Sequence, residues 1–271
     1  MWMPWQYAVF CAVGLGGVAV AHPLWRAPAV PARLRPWVRE AAVVFVLYAV
    51  WRRLGEVSFV GTGRAAQRGR QLWDLERTLH LPNEVTLQRW TLKATWLARG
   101  ANWYYIVVHV APVGVWLVWL FARHRDVYRR WRTVFALSSL VVLVIQWVPV
   151  APPRFFPDLG FVDTGALLGP RVYDDVGVST AGQLSAMPSM HVAWATAIGL
   201  TIFLVARSRW RWIGPAHVVG TVFAVTVTGY HWLADGIVGG GVVVVLAVAV
   251  ARWERRRRTR DARIPGLTSD S

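Results

Sequence analysis

Seven apolar runs, separated by charged connections, constrain the fold of this chain more than any other feature. They cover roughly residues 5–22, 37–51, 102–122, 133–150, 189–206, 211–229 and 232–252. The hydrocarbon core of a bilayer takes about 20 apolar residues of helix. A segment inside it must satisfy its own backbone hydrogen bonds, which an α-helix does. The expectation is an all-α, polytopic membrane protein. Composition agrees: 55% of the 271 residues are apolar and 16% are charged, against about 45–50% and about 25% in soluble domains. That argues against disorder and against an ordinary cytosolic domain. The run at 37–51 is short and opens with Arg39 and Glu40, so it is the least typical span. Residues 1–30 are read as an N-terminal transmembrane segment. Ala19-Val20-Ala21 resembles a signal-peptide cleavage site, but residues 1–6 hold no basic residue, which a signal peptide would carry.

The net charge of +16 comes from arginines and a single lysine, Lys93. In a soluble protein such a balance suggests nucleic acid. Here the basic residues lie between apolar runs, so no nucleic-acid partner is expected, and anionic lipid and bilayer orientation account for them. Residues 123–132, 207–211 and 252–263 are arginine-rich and are expected on the cytoplasmic side, with 253–271 as a basic cytoplasmic tail. The stretch 151–188 has only Arg154 and Arg171 beside Asp158, Asp163, Asp174 and Asp175, and is expected outside. Residues 52–101 carry nine basic residues yet fall outside by alternation. Long connections obey the charge rule poorly, and Leu72, Trp73, Leu75 and Leu79 opposite Arg68, Arg70 and Arg77 suggest an interfacial helix. Pro82 ends it, and 84–98 resumes as helix. The lone Cys11 excludes an intrachain disulfide and a cysteine metal site.

Two segments carry residues fit for chemistry. Ala186-Met187-Pro188-Ser189-Met190-His191 opens the fifth run, and Thr228-Gly229-Tyr230-His231-Trp232-Leu233-Ala234-Asp235 opens the seventh. His191 and His231 are 40 residues apart, two spans down and back, so both should lie at one depth near the outer surface. His231 and Asp235, four apart, share a helix face. A carboxylate there can hold an imidazole in one tautomer and stabilise its cation. Pro188 suits a first helical turn. The helix beginning there would aim free N–H groups around Ser189 at an anion. Arg154 ends the fourth run on the same side. An imidazole, an imidazole–carboxylate pair, a helix N-terminus and a guanidinium suit phosphoryl transfer through a phosphohistidine.

Plainer roles compete. Ser189 could be only a helix cap, Arg154 an interface anchor, and His217 a helix–helix hydrogen-bonding residue. Gly239-Gly240-Gly241 lies inside the last run, where small residues allow close helix packing. Asn102, Tyr105 and His109 are spaced i, i+3, i+7 on one face. They could bind a head group or acceptor, or stabilise the bundle.

Pro188-Ser189-Met190-His191 followed by His231-x-x-x-Asp235 resembles the second and third signatures of the type-2 phosphatidic acid phosphatase superfamily. The resemblance implies a six-helix transmembrane bundle, here preceded by one extra N-terminal span and accompanied by interfacial helices, with 36–252 as the membrane-embedded catalytic domain. It implies His231 as nucleophile, Asp235 as its orienting partner and His191 as general acid. Asn102-x-x-Tyr105-x-x-x-His109 and Ala151-Pro152-Pro153-Arg154 resemble the branch with the inositol phosphorylceramide synthases and many bacterial relatives. That points to an inositolphosphotransferase-like enzyme of a bacterial plasma membrane, with its site facing outside. The superfamily's first signature is Lys-x6-Arg-Pro, where this chain has Trp147 and Phe155. Its third has Ser-Arg beginning seven residues before the histidine, where Ala224 and Val225 stand. Each missing cation removes roughly 1.5–3 kcal/mol of phosphate binding. That penalises a near-dianionic monoester more than a singly charged diester, unless Lys93 or Arg171 fills the gap.

The expected function is therefore phosphotransfer from a lipid phosphodiester. Alternatives are a lipid phosphate monoester phosphatase (phosphatidic acid or polyprenyl phosphate type) and a lipid transporter in which the same residues bind without chemistry. A metal or haem protein using His109, His191 and His231 is a further rival. The phosphotransfer scheme needs no metal or other cofactor. Its partners are a lipid phosphate substrate and the bilayer, and no protein partner is inferable.

Overall fold

A computed structural model describes residues 5–20, 31, 33–55, 62–107, 111–169 and 180–261, and these form helices with no regular strand among them. We label them α1 (Trp5–Val20), α2 (Arg35–Gly55), α3 (Ala65–Thr78), α4 (Glu84–Lys93), α5 (Thr95–Val107), α6 (Ala111–Arg123), α7 (Arg125–Gln146), α8 (Thr164–Leu168), α9 (Thr180–Gln183), α10 (Met190–Val205), α11 (Ile213–Val227) and α12 (Leu233–Asp261). Each apolar run coincides with helix, although the boundaries move. The fourth run stops being helical at Gln146 because Pro149 follows, and a proline disfavours helical backbone in the residue before it. The third begins earlier than expected, at Thr95.

Within the described residues one helix, Leu233–Arg260, is long and apolar enough to cross a membrane alone, its most apolar 18-residue stretch having a mean hydropathy of 2.3. Together α5 and α6 meet the same condition, bent by 52° from each other. The helices α10 and α11 have 16 and 15 residues, about 24 and 22 Å at 1.5 Å per residue.

Helix α10 sits centrally, against α6, α7, α11 and α12, while α1 pairs with α2. The main core joins Trp116, Leu120, Trp131, Val134, Trp194 and Ile198. At the opposite end from the arginine-rich tail, a second core gathers Leu72, Val85, Val150, Phe156, Phe161 and Trp232. Glu40, unusual in an apolar run, accepts from Tyr128 at 2.9 Å and pairs with Arg132, both on α7. Its charge is thus matched where α2 crosses α7.

The segment expected to lie in the interface is helical, but it buries a different face. Ala65, Gly69, Leu72 and Glu76 point inward, whereas Leu75 and Leu79 are exposed. Gly69 makes this possible: a Cβ there would meet the Phe156 ring at 2.7 Å and the Ala151 carbonyl at 2.8 Å. Helix α3 ends in a left-handed residue, His80 (φ 55°), with the Leu81 N–H returning to the Glu76 carbonyl at 3.0 Å. This is the closing pattern of a Schellman turn. Asn83 then caps α4 by accepting from the Thr86 N–H.

Gly239 lets α12 touch the start of α10. A Cβ on it would lie 2.5 Å from the Ser189 carbonyl oxygen. The glycine run thus serves close packing at its first residue. Gly239→Val should destabilise the protein by about 1–3 kcal/mol, the usual cost of overpacking, and separate Ser189 from α12. A lowered melting temperature together with lost activity is the expected result, while Gly241→Ala, with open space around its Cβ, should leave both unchanged.

Candidate active site

Three connections build the site: the stretch after α7, the residues before α10, and the turn between α11 and α12. They are laced by backbone bonds. Val150 N–H donates to the Leu184 carbonyl, Ala186 N–H to the Val150 carbonyl, and Arg154 N–H to the Gly229 carbonyl. Gly229 holds φ at 74° in the α11–α12 turn, a conformation that favours glycine.

This lacing brings His191 and His231 together, with ring centroids 5.4 Å apart at 60°. His231 Nδ1 lies 2.8 Å from the Ala186 carbonyl oxygen. A carbonyl only accepts, so Nδ1 carries the proton and Nε2 the lone pair. Asp235 Oδ2 lies 3.5 Å from the same Nδ1 and accepts the Trp232 N–H at 2.8 Å. This is the back-reaching half of a capping box, with Trp232 as N-cap and Asp235 at the third position. The carboxylate is therefore fixed by its own helix and stands beside the imidazole as counter-ion. The Ala186 carbonyl, absent from any reading of side chains, makes the shorter contact. Trp232 is wholly buried, and its indole donates to the Ala151 carbonyl.

Around the imidazoles, Tyr105 stacks on His191 (4.1 Å, 23°) and on Tyr230 (4.5 Å). The Arg154 guanidinium lies over Tyr230 at 4.9 Å and over Phe155 at 4.8 Å. It donates to Gln183 Oε1 and stands 3.7 Å from Asp163. Arg154 is thus a buried cation held over Tyr230, the residue next to His231. Ser189 caps α10 by accepting from the Val192 N–H, and its own N–H donates to the Asp235 carbonyl. The expectation of a free Ser189 N–H is corrected: that donor is spent on α12, and Pro188 precedes the cap instead of opening the helix. By helix geometry the first-turn donors are those of Met190 and His191.

Asn102 is fully used by a neighbouring segment. Its amide nitrogen donates to the Thr164 and Gly169 carbonyls, and its oxygen accepts from the Thr164 hydroxyl. It ties α5 to α8, whereas Tyr105 faces the imidazoles. His109 and Arg171 lie outside the described residues. Lys93 is exposed at the end of α4. Ala224 and Val225 are buried, and the Val225 carbonyl accepts the His231 N–H. His217 bonds Tyr104 at 2.9 Å, between helices. Among the described residues no group of three histidine, cysteine or acidic side chains is placed to hold a metal ion.

Sequence reading passed over Glu76, Glu84 and Gln88, all fully buried. Gln88 links the Val162 and Val227 backbones. The available signal was Glu76 four residues after Leu72, on what proves to be the packed face.

An all-helical chain with a histidine pair and a buried arginine at one end is thereby defined. A family model, the PAP2 superfamily, matches residues 70–251, and the chain belongs to that family. Its members are generally phosphatases and phosphotransferases, so this is an enzyme of that type, directed at lipid phosphates. Comparisons with curated proteins and with solved structures found no match.

Proposed function

We propose that the chain is a polytopic membrane phosphotransferase that moves a phosphodiester head group through a phosphohistidine at the extracytoplasmic face. The observation carrying this reading is the His191–His231 ring pair, with His231 Nδ1 tied to a carbonyl and Nε2 left as the nucleophile. His231 Nε2 attacks phosphorus as the bond to the leaving oxygen breaks, and His191 protonates that oxygen. His191 then takes the proton of an incoming alcohol or water, whose oxygen attacks phosphorus and restores His231. Asp235 stabilises the imidazolium, and Arg154 with the first-turn N–H groups of α10 stabilises the equatorial oxygens.

The surface supports a bilayer setting. Val115, Val118, Leu204, Val219, Ile237 and Val245 are exposed along the helices. Exposed Trp90 and Trp96 lie toward the site end, and Trp210, Trp212 and Trp253 at the arginine-rich end. Apolar flanks between two tryptophan groups are what membrane interfaces select. The absence of cations at Trp147 and Val225 favours a diester donor over a monoester.

The test is a donor screen on purified protein in mixed micelles, with phosphatidylinositol or phosphatidic acid as radiolabelled donor, with and without a free polyol or lipid alcohol. Labelled head-group phosphate passing from the diester to the alcohol is the expected result. Inorganic phosphate released from phosphatidic acid alone would make the protein a monoester phosphatase. Binding without turnover of either would make it a transporter.

A further inference from the structure

Three carboxyl groups converge on the first turn of the helix that carries Asp235. Asp235 Oδ2 accepts the Trp232 N–H, Glu84 Oε1 the Leu233 N–H at 2.8 Å, and Glu76 Oε1 the Ala234 N–H at 2.7 Å. Initial N–H groups of a helix have no intrahelical acceptor, and here two of them are met by side chains from α3 and α4, about 150 residues away in sequence. All three carboxyl groups are fully buried. Burying two adjacent carboxylates is far too costly for ordinary capping when a serine or asparagine would serve.

We infer that Glu76 and Glu84 are positioning residues, which fix the first turn of α12 and through it the His231–Asp235 pair. The inference rests on the proposed phosphotransfer at that pair. His231 is two residues before Leu233, and its own N–H and ring are already tied to the Val225 and Ala186 carbonyls. A shift of the α12 start therefore moves the nucleophile against fixed anchors.

The two glutamates work as one unit. Glu84 meets Glu76 and Arg77 from α3, with Arg77 3.5 Å from Glu84 and 3.9 Å from Glu76. Asp235 of α12 adds a further negative charge on Glu76. Helices α5 and α11, also packed on α4, carry Arg99 and His217, neither of which bears on Glu84. Were both carboxyls ionised, the buried Glu76 Oε2 would have no hydrogen-bond donor. A proton on Glu84 supplies a hydrogen bond between the two carboxyl groups. Burial and the neighbouring Glu76 push the Glu84 carboxyl up to about 8, and burial also raises Glu76.

The folded protein keeps a proton that the unfolded chain releases near the ordinary carboxyl value. Stability from this group is thus complete below that value, falls as pH rises toward about 8, and is flat above. Glu84→Gln keeps an acceptor for Leu233 and gives Glu76 a permanent donor, so it mimics the protonated form at every pH.

The experiment follows melting temperature and rate against pH for wild type, Glu84→Gln and Glu84→Ala in detergent. Wild type is expected to lose melting temperature between about pH 5 and 8 more steeply than Glu84→Gln. Above about pH 8 its rate should fall with an ionisation that Glu84→Gln lacks. Glu84→Ala, if folded, should lose about 10²-fold in kcat with KM little changed, as for a misplaced reacting group. Equal melting slopes in wild type and Glu84→Gln overturn the inference, and so does an equally steep alkaline fall in rate. A wild-type protein that turns over no lipid phosphate sinks the proposed function instead, and the melting comparison then decides the carboxyl pair by itself.

Discussion

Replacing His231 with alanine should reduce turnover by about 10⁴–10⁶-fold, the range seen when a covalent nucleophile is removed. His191, the other imidazole of the pair, acts in the proposed mechanism as acid and base and not as the nucleophile. The variant should still fold. It leaves the buried Ala186 carbonyl without that donor, a cost of about 1–3 kcal/mol, and removes the imidazole beside Asp235, which keeps the Trp232 N–H. Trapping is the decisive measurement. Wild-type protein quenched during turnover of labelled donor should hold phosphate that is acid-labile and base-stable, and His231→Ala should hold none. His217→Ala, which breaks only the bond with Tyr104, is the control and should retain the label. Turnover persisting in His231→Ala would end the nucleophile assignment.

Replacing His191 with alanine should cost about 10²–10⁴-fold, the usual contribution of a general acid–base group. The loss should depend on the leaving group. A p-nitrophenyl ester departs without protonation, so its phosphoryl transfer to His231 should be nearly spared, and label should accumulate on His231 because the second step lacks its base. The alkaline fall in rate assigned to Glu84 should remain in His191→Ala. An equal loss for good and poor leaving groups would make His191 a binding residue.

Much of this site was legible in the chain because its parts are local. His231 and Asp235 are four residues apart, which keeps them close at one helix start, although His231 precedes the Trp232 N-cap and so lies outside the helix the spacing suggested. The 40-residue interval between the histidines encodes two passes along the bundle, so their common depth follows from segment length. Ser189 behaves as its residue type suggests, a cap before an apolar helix. Yet its N–H was misjudged, because the acceptor it meets is the Asp235 carbonyl of another helix. Asn102 shows the same limit: its spacing with Tyr105 is helical, but the two serve different neighbours, one α8 and the other the imidazoles.

Primary structure alone thus settles where helices form, which ends are basic, and which side chains could do chemistry, since periodicity, charge and spacing are properties of short segments. The folded chain alone decides that the Ala186 carbonyl sets the His231 tautomer, that Arg154 is buried over Tyr230, and that Glu76 and Glu84 reach the first turn of α12. Each of these is a contact across tens of residues or more, between groups whose partner is a backbone atom or a buried charge. No pattern within a segment records which backbone N–H or carbonyl another segment will present, because that depends on how the helices pack.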